Sequence, residues 1–347
     1  MKIAMISFTG NGRRLERSLA HELEKEGHQV LQAVKCKELE SDKDAVKCSA
    51  REWTGEQFRT RDVLIFIGAV QIAVRLIASF IGSKTTDPAV LVLDEKGQYC
   101  IPILSGHIGG ANEMAERIAE MAGALPVITT ATDIRGKWAI DVFARKNHLY
   151  IEDIQKAKQI SAKILEGKTV VAAIESGRDS IEGTVPEEVK IVPETYENPD
   201  IYIGIYERKL SSHVLRLIPQ RITVGIGCRR GTSAEQIEQL VDKILKESHI
   251  NKKSIGRIAS IDLKKDEEGL LTFCNKYNIE PEFYPAEELK KVEGEFSVST
   301  FVKKVTGVDN VCERSAVYTG GTLRIRKQAE NGVTAAFAWD NWRVKFE

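Results

Sequence analysis

The chain has 347 residues, more than most single hydrophobic cores accommodate, so two or three domains are expected. Its 50 basic and 50 acidic residues cancel and its aromatics form no stacking stripe, which argues against a nucleic-acid partner or an anionic membrane surface. Six cysteines, at 36, 48, 100, 228, 274 and 312, form no CxxC pair, so no structural zinc site or dense disulfide framework is expected and reduced thiols fit a cytoplasmic protein.

The opening "MKIAMISFTGNGRR" breaks into charge before a signal-peptide-length apolar stretch develops, and no later run approaches the roughly 20 apolar residues of a membrane span. A soluble chain is expected. "KIAMISF" reads as a strand, "RRLERSLAHELEKEG" as a helix and "HQVLQAV" as a strand; "VLIFIG" followed by "QIAVRLIASFIG" repeats the order. "AVLVLDEKGQYCIPIL" places two apolar runs around a polar turn containing Gly97, which predicts a hairpin and a mixed sheet at that edge. In "ILSGHIGGANEMAERIAEMAG", a histidine among glycines leads into a helix whose Met114, Ala115, Ile118, Ala119 and Ala122 recur at helical spacing. "PVITTATD" then reads as a strand ending in a polar turn. Residues 1–145 are therefore expected to form an α/β domain with a mixed, mostly parallel sheet.

The pattern weakens over 146–218, which is read as a small middle domain: a helix in "EDIQKAKQISAKILEG", a strand in "TVVAAI", irregular chain with one short strand, then "IYIGIYE" and "HVLRLIP" as strands. Residues 219–347 are read as a C-terminal α/β domain. Its opening strand, 222–227, runs through Cys228, Arg229, Arg230 and Gly231 into a helix with Thr232 as expected N-cap and Glu235 completing a capping box. "TLRIRK" and "VTAAFAW" close it as strands around a glycine turn. The expected fold class is multidomain α/β.

His107 is the most informative single residue, because an imidazole exchanges protons near neutral pH and the following helix start offers backbone amides to a carboxylate or developing oxyanion. The bland alternative is a histidine that holds its turn. Asn112 can bind ligand or cap the helix, and for Glu113 capping suffices. Ser105 and Gly106 precede His107, but no G-x-S-x-G elbow or Walker loop is present. Thr129 to Asp133 follow a strand end, where ligand loops gather in open sheets, so Thr130 and Asp133 are polar candidates. Arg75, near another helix start, and the pair Arg229 and Arg230 could hold carboxylates or phosphates, with solvated salt bridges as the alternative. Cys228 is read as packed rather than reactive.

The segments "DPAVLVLDEKGQYCIPILSGHIGGANEMAERIA", "GALPVITTATD", "GIGCRRGTSAEQI", "IASIDLKKDEEGL", "STFVKKVTGVDNVCERSAV" and "GTLRIRK", in this order, resemble the cobalt-precorrin-5A hydrolase family of the anaerobic cobalamin pathway. The likeness covers nearly the whole chain and is weakest over 150–215. It implies an N-terminal domain carrying the His-Gly loop, a middle domain and a C-terminal domain. It also implies a substrate, a cobalt-containing contracted tetrapyrrole whose ring A lactone is opened by water with loss of acetaldehyde. No cofactor or protein-bound metal is implied, since the cobalt belongs to the substrate. Neighbouring cobalamin-pathway enzymes are implied as further partners; no oligomeric state is.

Applied to these residues, the resemblance makes His107 the proton-transfer group and the Gly109 and Gly110 amides the oxyanion donors. Asn112 or Thr130 would position the lactone, with Asp133 as a secondary candidate. Ser105 and Gly106 would bind substrate from the same loop, and Arg75, Arg229 and Arg230 would take macrocycle carboxylates. No Ser-His-Asp set is legible in the sequence, so the general base rests on one imidazole, with a substrate carboxylate as the alternative. A corrinoid carrier without hydrolysis is the competing reading, and a nucleotide-binding regulatory module a more distant one.

Overall fold

The computed structural model describes residues 1–83, 86–107, 109–176 and 180–346, with the side chains of Asp133 and Phe301 outside the description. Two compact units result, Met1–Val142 and Phe143–Glu347. The expected multidomain α/β class is what the chain adopts. Among the described residues no helix is long and apolar enough to cross a membrane.

The first unit alternates β1 (Lys2–Ser7), α1 (Gly10–Lys25), β2 (Gln29–Val34), α2 (Ala50–Thr60), β3 (Val63–Ile67) and α3 (Val70–Ile77). It continues with β4 (Ala89–Leu93), β5 (Tyr99–Leu104), α4 (Ala111–Ala122), β6 (Leu125–Pro126), α5 (Ala131–Ile134) and α6 (Ile140–Lys146), the last running across the unit boundary. The strands pair in the order β2-β1-β3-β4-β5-β6. Strand residues alternate between two helical layers. Ile3, Met5, Ile65 and Leu91 pack with Leu19 and Leu23 of α1 and Ala115 and Ile118 of α4, whereas Ile6, Leu64, Phe66 and Val92 pack with Trp53 and Phe58 of α2 and Ala73 and Ile77 of α3. A sheet covered on both faces needs apolar residues at both strand phases, which is why "VLIFI" and "AVLVL" are continuous apolar runs.

Strands β1 to β4 are parallel, but β5 returns antiparallel to β4 through the expected hairpin, whose Gly97 amide bonds the Asp94 carbonyl at 3.0 Å. Because β6 runs parallel to β5, both point opposite to the other four. Leu104 at the end of β5 pairs with Val90 near the start of β4, so the His107 loop lies at the amino ends of β1 to β4. The strand read in "PVITTATD" shrinks to Leu125–Pro126, although the Val127 amide still bonds the Cys100 carbonyl at 2.9 Å.

The second unit begins with β7 (Leu149–Ile151), α7 (Ile154–Leu165), β8 (Val170–Ile174), β9 (Ile181–Gly183), β10 (Val189–Val192), β11 (Ile201–Ile203) and β12 (Leu215–Pro219). The polar stretch expected to hold one short strand thus holds two, β9 and β10. The first sheet has the order β10-β8-β11-β12-β7, parallel except for β7. Then follow β13 (Ile222–Cys228), α8 (Ala234–Glu247), β14 (Ile255–Ile261), α9 (Glu268–Tyr277), β15 (Glu282–Tyr284), α10 (Ala286–Lys291), α11 (Thr300–Thr306), α12 (Cys312–Val317), β16 (Thr322–Glu330), β17 (Val333–Trp339) and β18 (Val344–Phe346). The second sheet has the order β15-β14-β13-β17-β16, with β17 antiparallel to both neighbours.

The C-terminal strand reaches back to the middle of the chain. Strand β18 returns to pair with β9, and Asn147 both accepts from the Lys345 amide and donates to its carbonyl. The expected capping box shifts by one residue: Ser233, not Thr232, caps α8, with Gln236 in place of Glu235 as its reciprocal partner. The reason is that the buried Thr232 hydroxyl donates back to the Arg229 carbonyl at 2.8 Å and closes the preceding turn.

On β13, Ile222, Val224 and Ile226 pack under α8 and α9, leaving the other face for α12. That face is built from small residues, and a Cβ on Gly225 would fall 1.9 Å from the Cys312 carbonyl oxygen. Helix α12 therefore rests directly on the strand backbone. Gly225→Ala is expected to destabilise the second unit by about 1–3 kcal/mol, the usual cost of overpacking, seen as a lower midpoint in urea unfolding. An unchanged midpoint would show that α12 slides freely on β13.

Candidate active site

The β5–α4 loop folds back on itself before the helix begins. Ser105 adopts a left-handed φ of 56°, and its hydroxyl donates to the Asp87 carbonyl at 3.0 Å, fixing the loop to the segment before β4. The amides of Gly110, Ala111 and Asn112 then bond the carbonyls of His107, Ser105 and Gly106 at 3.0, 3.1 and 3.0 Å. These first amides of α4 were expected to face a ligand. They are spent within the loop instead, because its carbonyls lie directly over the helix start, and the oxyanion role expected of the Gly110 amide is corrected accordingly. Gly109 keeps its N–H out of this pattern. Its missing Cβ matters too, since one there would lie 2.4 Å from the Ser105 Cβ.

Asn112 is buried at 8% exposure and donates its side-chain amide to the Thr130 hydroxyl at 2.9 Å. A Cβ on Gly106 would meet the Asn112 amide oxygen at 2.8 Å, so that glycine makes room for the asparagine. The two expected polar candidates Asn112 and Thr130 are thus joined, and they lace the His107 loop to the chain entering α5.

His107 sits between two groups that the sequence reading did not select. Its Nδ1 is 3.2 Å from Asp141 Oδ2, and its Nε2 is 3.2 Å from the hydroxyl of Thr132, which is only 6% exposed. With Nδ1–H donated to the carboxylate, Nε2 accepts from the threonine hydroxyl; the tautomer follows from this bonding pattern. Burial pushes the Asp141 carboxyl up, but the imidazole and the backbone amides around it outweigh burial and hold it below the usual aspartate value of 3.8. The side chains of His107 and Asp141 remain 13% and 19% exposed, so the pair is shielded yet reachable. A base oriented by a carboxylate and in contact with a hydroxyl is the arrangement that activates an oxygen nucleophile.

Thr132 stands inside "TTATD", between the sequence candidates Thr130 and Asp133. Asp141 opens the helical run "IDVFARK", 34 positions after His107, and nothing in that spacing marks it. The side chain of Asp133 lies outside the described residues.

The arginines stand on other elements. Arg75 is exposed on α3, whose buried residues belong to the layer covering the sheet face opposite α4. Arg229 and Arg230 belong to the second unit, directly after β13. Arg230 bridges Asp266 at 2.9 Å, while the exposed guanidinium of Arg229 has no partner among the described residues. Burial, ahead of its charged neighbours, pushes the Cys228 thiol up, in keeping with a packed cysteine.

Comparison with known proteins now bears on this geometry. Three family models match in series: "Cobalamin synthesis G N-terminal" over residues 52–133, "Cobalamin biosynthesis central region" over 138–219 and "Cobalamin synthesis G C-terminus" over 222–338. The chain is 35% identical over 299 residues to the cobalt-precorrin-5A hydrolase of Priestia megaterium, covering 82% of this chain and 79% of that one. It is 35% identical over 292 residues to the enzyme of the same name from Salmonella typhimurium, covering 80% and 82%. A crystal structure of a cobalamin biosynthesis protein G homolog from Sulfolobus solfataricus aligns over 97% of both chains at 23% identity, with a TM-score of 0.43. The two hydrolases exceed what shared architecture alone requires, and on their identity and coverage the chain belongs to the cobalt-precorrin-5A hydrolase family.

Proposed function

We propose that this protein hydrolyses the ring A lactone of cobalt-precorrin-5A and releases acetaldehyde to give cobalt-precorrin-5B, in the anaerobic route to cobalamin. The observation that carries the chemical part is the imidazole of His107 held between Asp141 and Thr132. In this reading His107 Nε2 is the general base, and the Thr132 hydroxyl passes it the proton of the attacking water. Hydroxide adds to the lactone carbonyl, the tetrahedral oxyanion collapses, and the ring C–O bond breaks to leave a carboxylate and an alkoxide on the extruded carbon. That alkoxide becomes the carbonyl of acetaldehyde as the carbon–carbon bond breaks, and the macrocycle takes up the electron pair and a proton.

Of the two glycine amides first expected to bind the oxyanion, Gly109 remains available for the part. Asn112 and Thr130 act by holding the loops in register, with Asp133 a further polar group of the same segment. Cobalt enters with the substrate, and no cofactor of the protein's own is invoked. The chemistry belongs to residues 1–145, leaving 146–218 and 219–347 for binding, and a cytoplasmic setting with neighbouring pathway enzymes taking up the product completes the reading.

The test is anaerobic incubation with enzymatically prepared cobalt-precorrin-5A, measuring acetaldehyde beside the mass of the macrocycle. Stoichiometric acetaldehyde with loss of the two-carbon unit is expected. Bound but unconverted substrate would overturn the hydrolase reading in favour of a carrier.

A further inference from the structure

A cavity of about 710 Å³ opens in the second unit, between the ends of β13 and β17 and the α11–α12 segment. This is within the roughly 300–1,000 Å³ typical of small-molecule sites. Its walls are apolar, built from Ile261, Val302 and Val311, and two side chains at its edge stay in solvent: Leu263 is 51% and Val305 63% exposed. Exposed apolar side chains lining one concavity, unlike scattered ones, mark a binding surface.

The charge around this cavity is one-sided. Arg229, Arg230, Lys264 and Lys327 all line it, and its one lining carboxylate among the described residues, Glu330, is neutralised by Lys243 at 2.6 Å. The four cations are not equivalent. Arg230 is engaged by Asp266 at 2.9 Å, and Lys264 by the buried Glu267 at 3.1 Å. The charged ends of Arg229 and Lys327 have no partner among the described residues. Both also stand on fixed backbone. The Arg229 amide bonds the Gly332 carbonyl at 3.0 Å, and the Lys327 amide bonds the fully buried carboxylate of Glu313 at 2.8 Å, which also accepts from Ser297 and Asn310.

We infer that this cavity seats the tetrapyrrole macrocycle by itself, apolar ring against the Ile261, Val302 and Val311 wall, with peripheral carboxylates anchored by Arg229 and Lys327. The adjacent pair Arg229 and Arg230 is not the clamp, because Arg230 already has its carboxylates. The inference rests on the substrate class proposed above, since an apolar wall with unpaired cations at its rim complements a flat hydrophobic ring edged with carboxylates.

The test is a fluorescence titration of the full-length protein with uroporphyrin, a tetrapyrrole bearing carboxylates on every ring and carrying no lactone. The double variant R229E/K327E is expected to weaken binding by at least about tenfold, and V305D by a similar factor, whereas R230A should shift it by less than about threefold. Thermal unfolding of each variant verifies that these surface changes leave the fold intact. Wild-type affinity in R229E/K327E, or an R230A loss as large as that of the double variant, would overturn the assignment. The readout needs no turnover: uroporphyrin binding with this pattern supports the seat even if acetaldehyde is never released. Acetaldehyde release with unchanged KM in R229E/K327E sinks the seat while leaving the hydrolase reading standing.

Discussion

His107→Gln is expected to lower kcat by about 10²- to 10⁴-fold with KM little changed, the size of effect produced by removing a positioned general base. Glutamine fills most of the imidazole volume and can still meet the Thr132 hydroxyl, but it cannot take and return a proton at neutral pH. The comparison therefore separates proton transfer from packing. Acetaldehyde release measured under substrate saturation gives kcat, and uroporphyrin affinity shows whether tetrapyrrole binding has survived. A kcat within about threefold of the unsubstituted protein would remove His107 from the chemistry and return the base to a substrate carboxylate.

Asp141→Asn should reduce kcat by about 10²- to 10⁴-fold although Asp141 touches no reacting atom, because it acts by positioning His107. The 3.2 Å contact to Nδ1 fixes the tautomer in which Nε2 accepts from Thr132, and an asparagine amide can present N–H there and reverse it. A purely structural role would alter stability alone. A positioning role also moves the acid limb of the kcat profile to lower pH, since the neighbouring carboxylate no longer favours the imidazolium. Intact activity with an unmoved profile would reduce Asp141 to a structural group that accepts from the Val142 amide at the start of α6.

Stability gives an independent readout with a definite sign. The folded protein holds Asp141 below its ordinary value of 3.8, so its ionised form contributes stability that is fully present above about pH 4 and is lost as pH falls through the depressed folded value. The gap between the unsubstituted protein and D141N in urea unfolding should therefore be largest near neutrality and close on acidification. Glu16 behaves in the opposite sense: burial raises its carboxyl despite bonds from Ser7, Ala33 and Arg13, so the stability linked to it is lost as pH rises through the raised value. The two must be separated by substitution, since an acid titration of the whole protein sums them.

Much of the architecture follows from local pattern. The continuous apolar runs of β3 and β4 require helices on both sheet faces, the polar turn at Gly97 sets the hairpin, and the periodic Met114, Ala115, Ile118 and Ala119 bury α4. His107 was conspicuous for the same reason, since histidine among glycines ahead of a helix is a local signal, and the resemblance carried by motifs in series pointed to the family. Where adjacent residues compete for one role, pattern misplaces it. Thr232 and Ser233 can both cap, and the choice fell to Ser233 because the Thr232 hydroxyl found the Arg229 carbonyl.

What the fold alone decided is which groups meet. Reversal of β5 against β4 carries the His107 loop to the amino ends of the parallel strands, away from the carboxyl-end crevice where such sheets usually bind ligands. The same packing puts Arg75 on the opposite helical layer, turns the first amides of α4 inward, and brings Asp141 and Thr132 onto the two nitrogens of one imidazole. Periodicity reports which face of an element is buried. The distance between an imidazole and a carboxylate 34 residues later is fixed by tertiary packing, which no local spacing records.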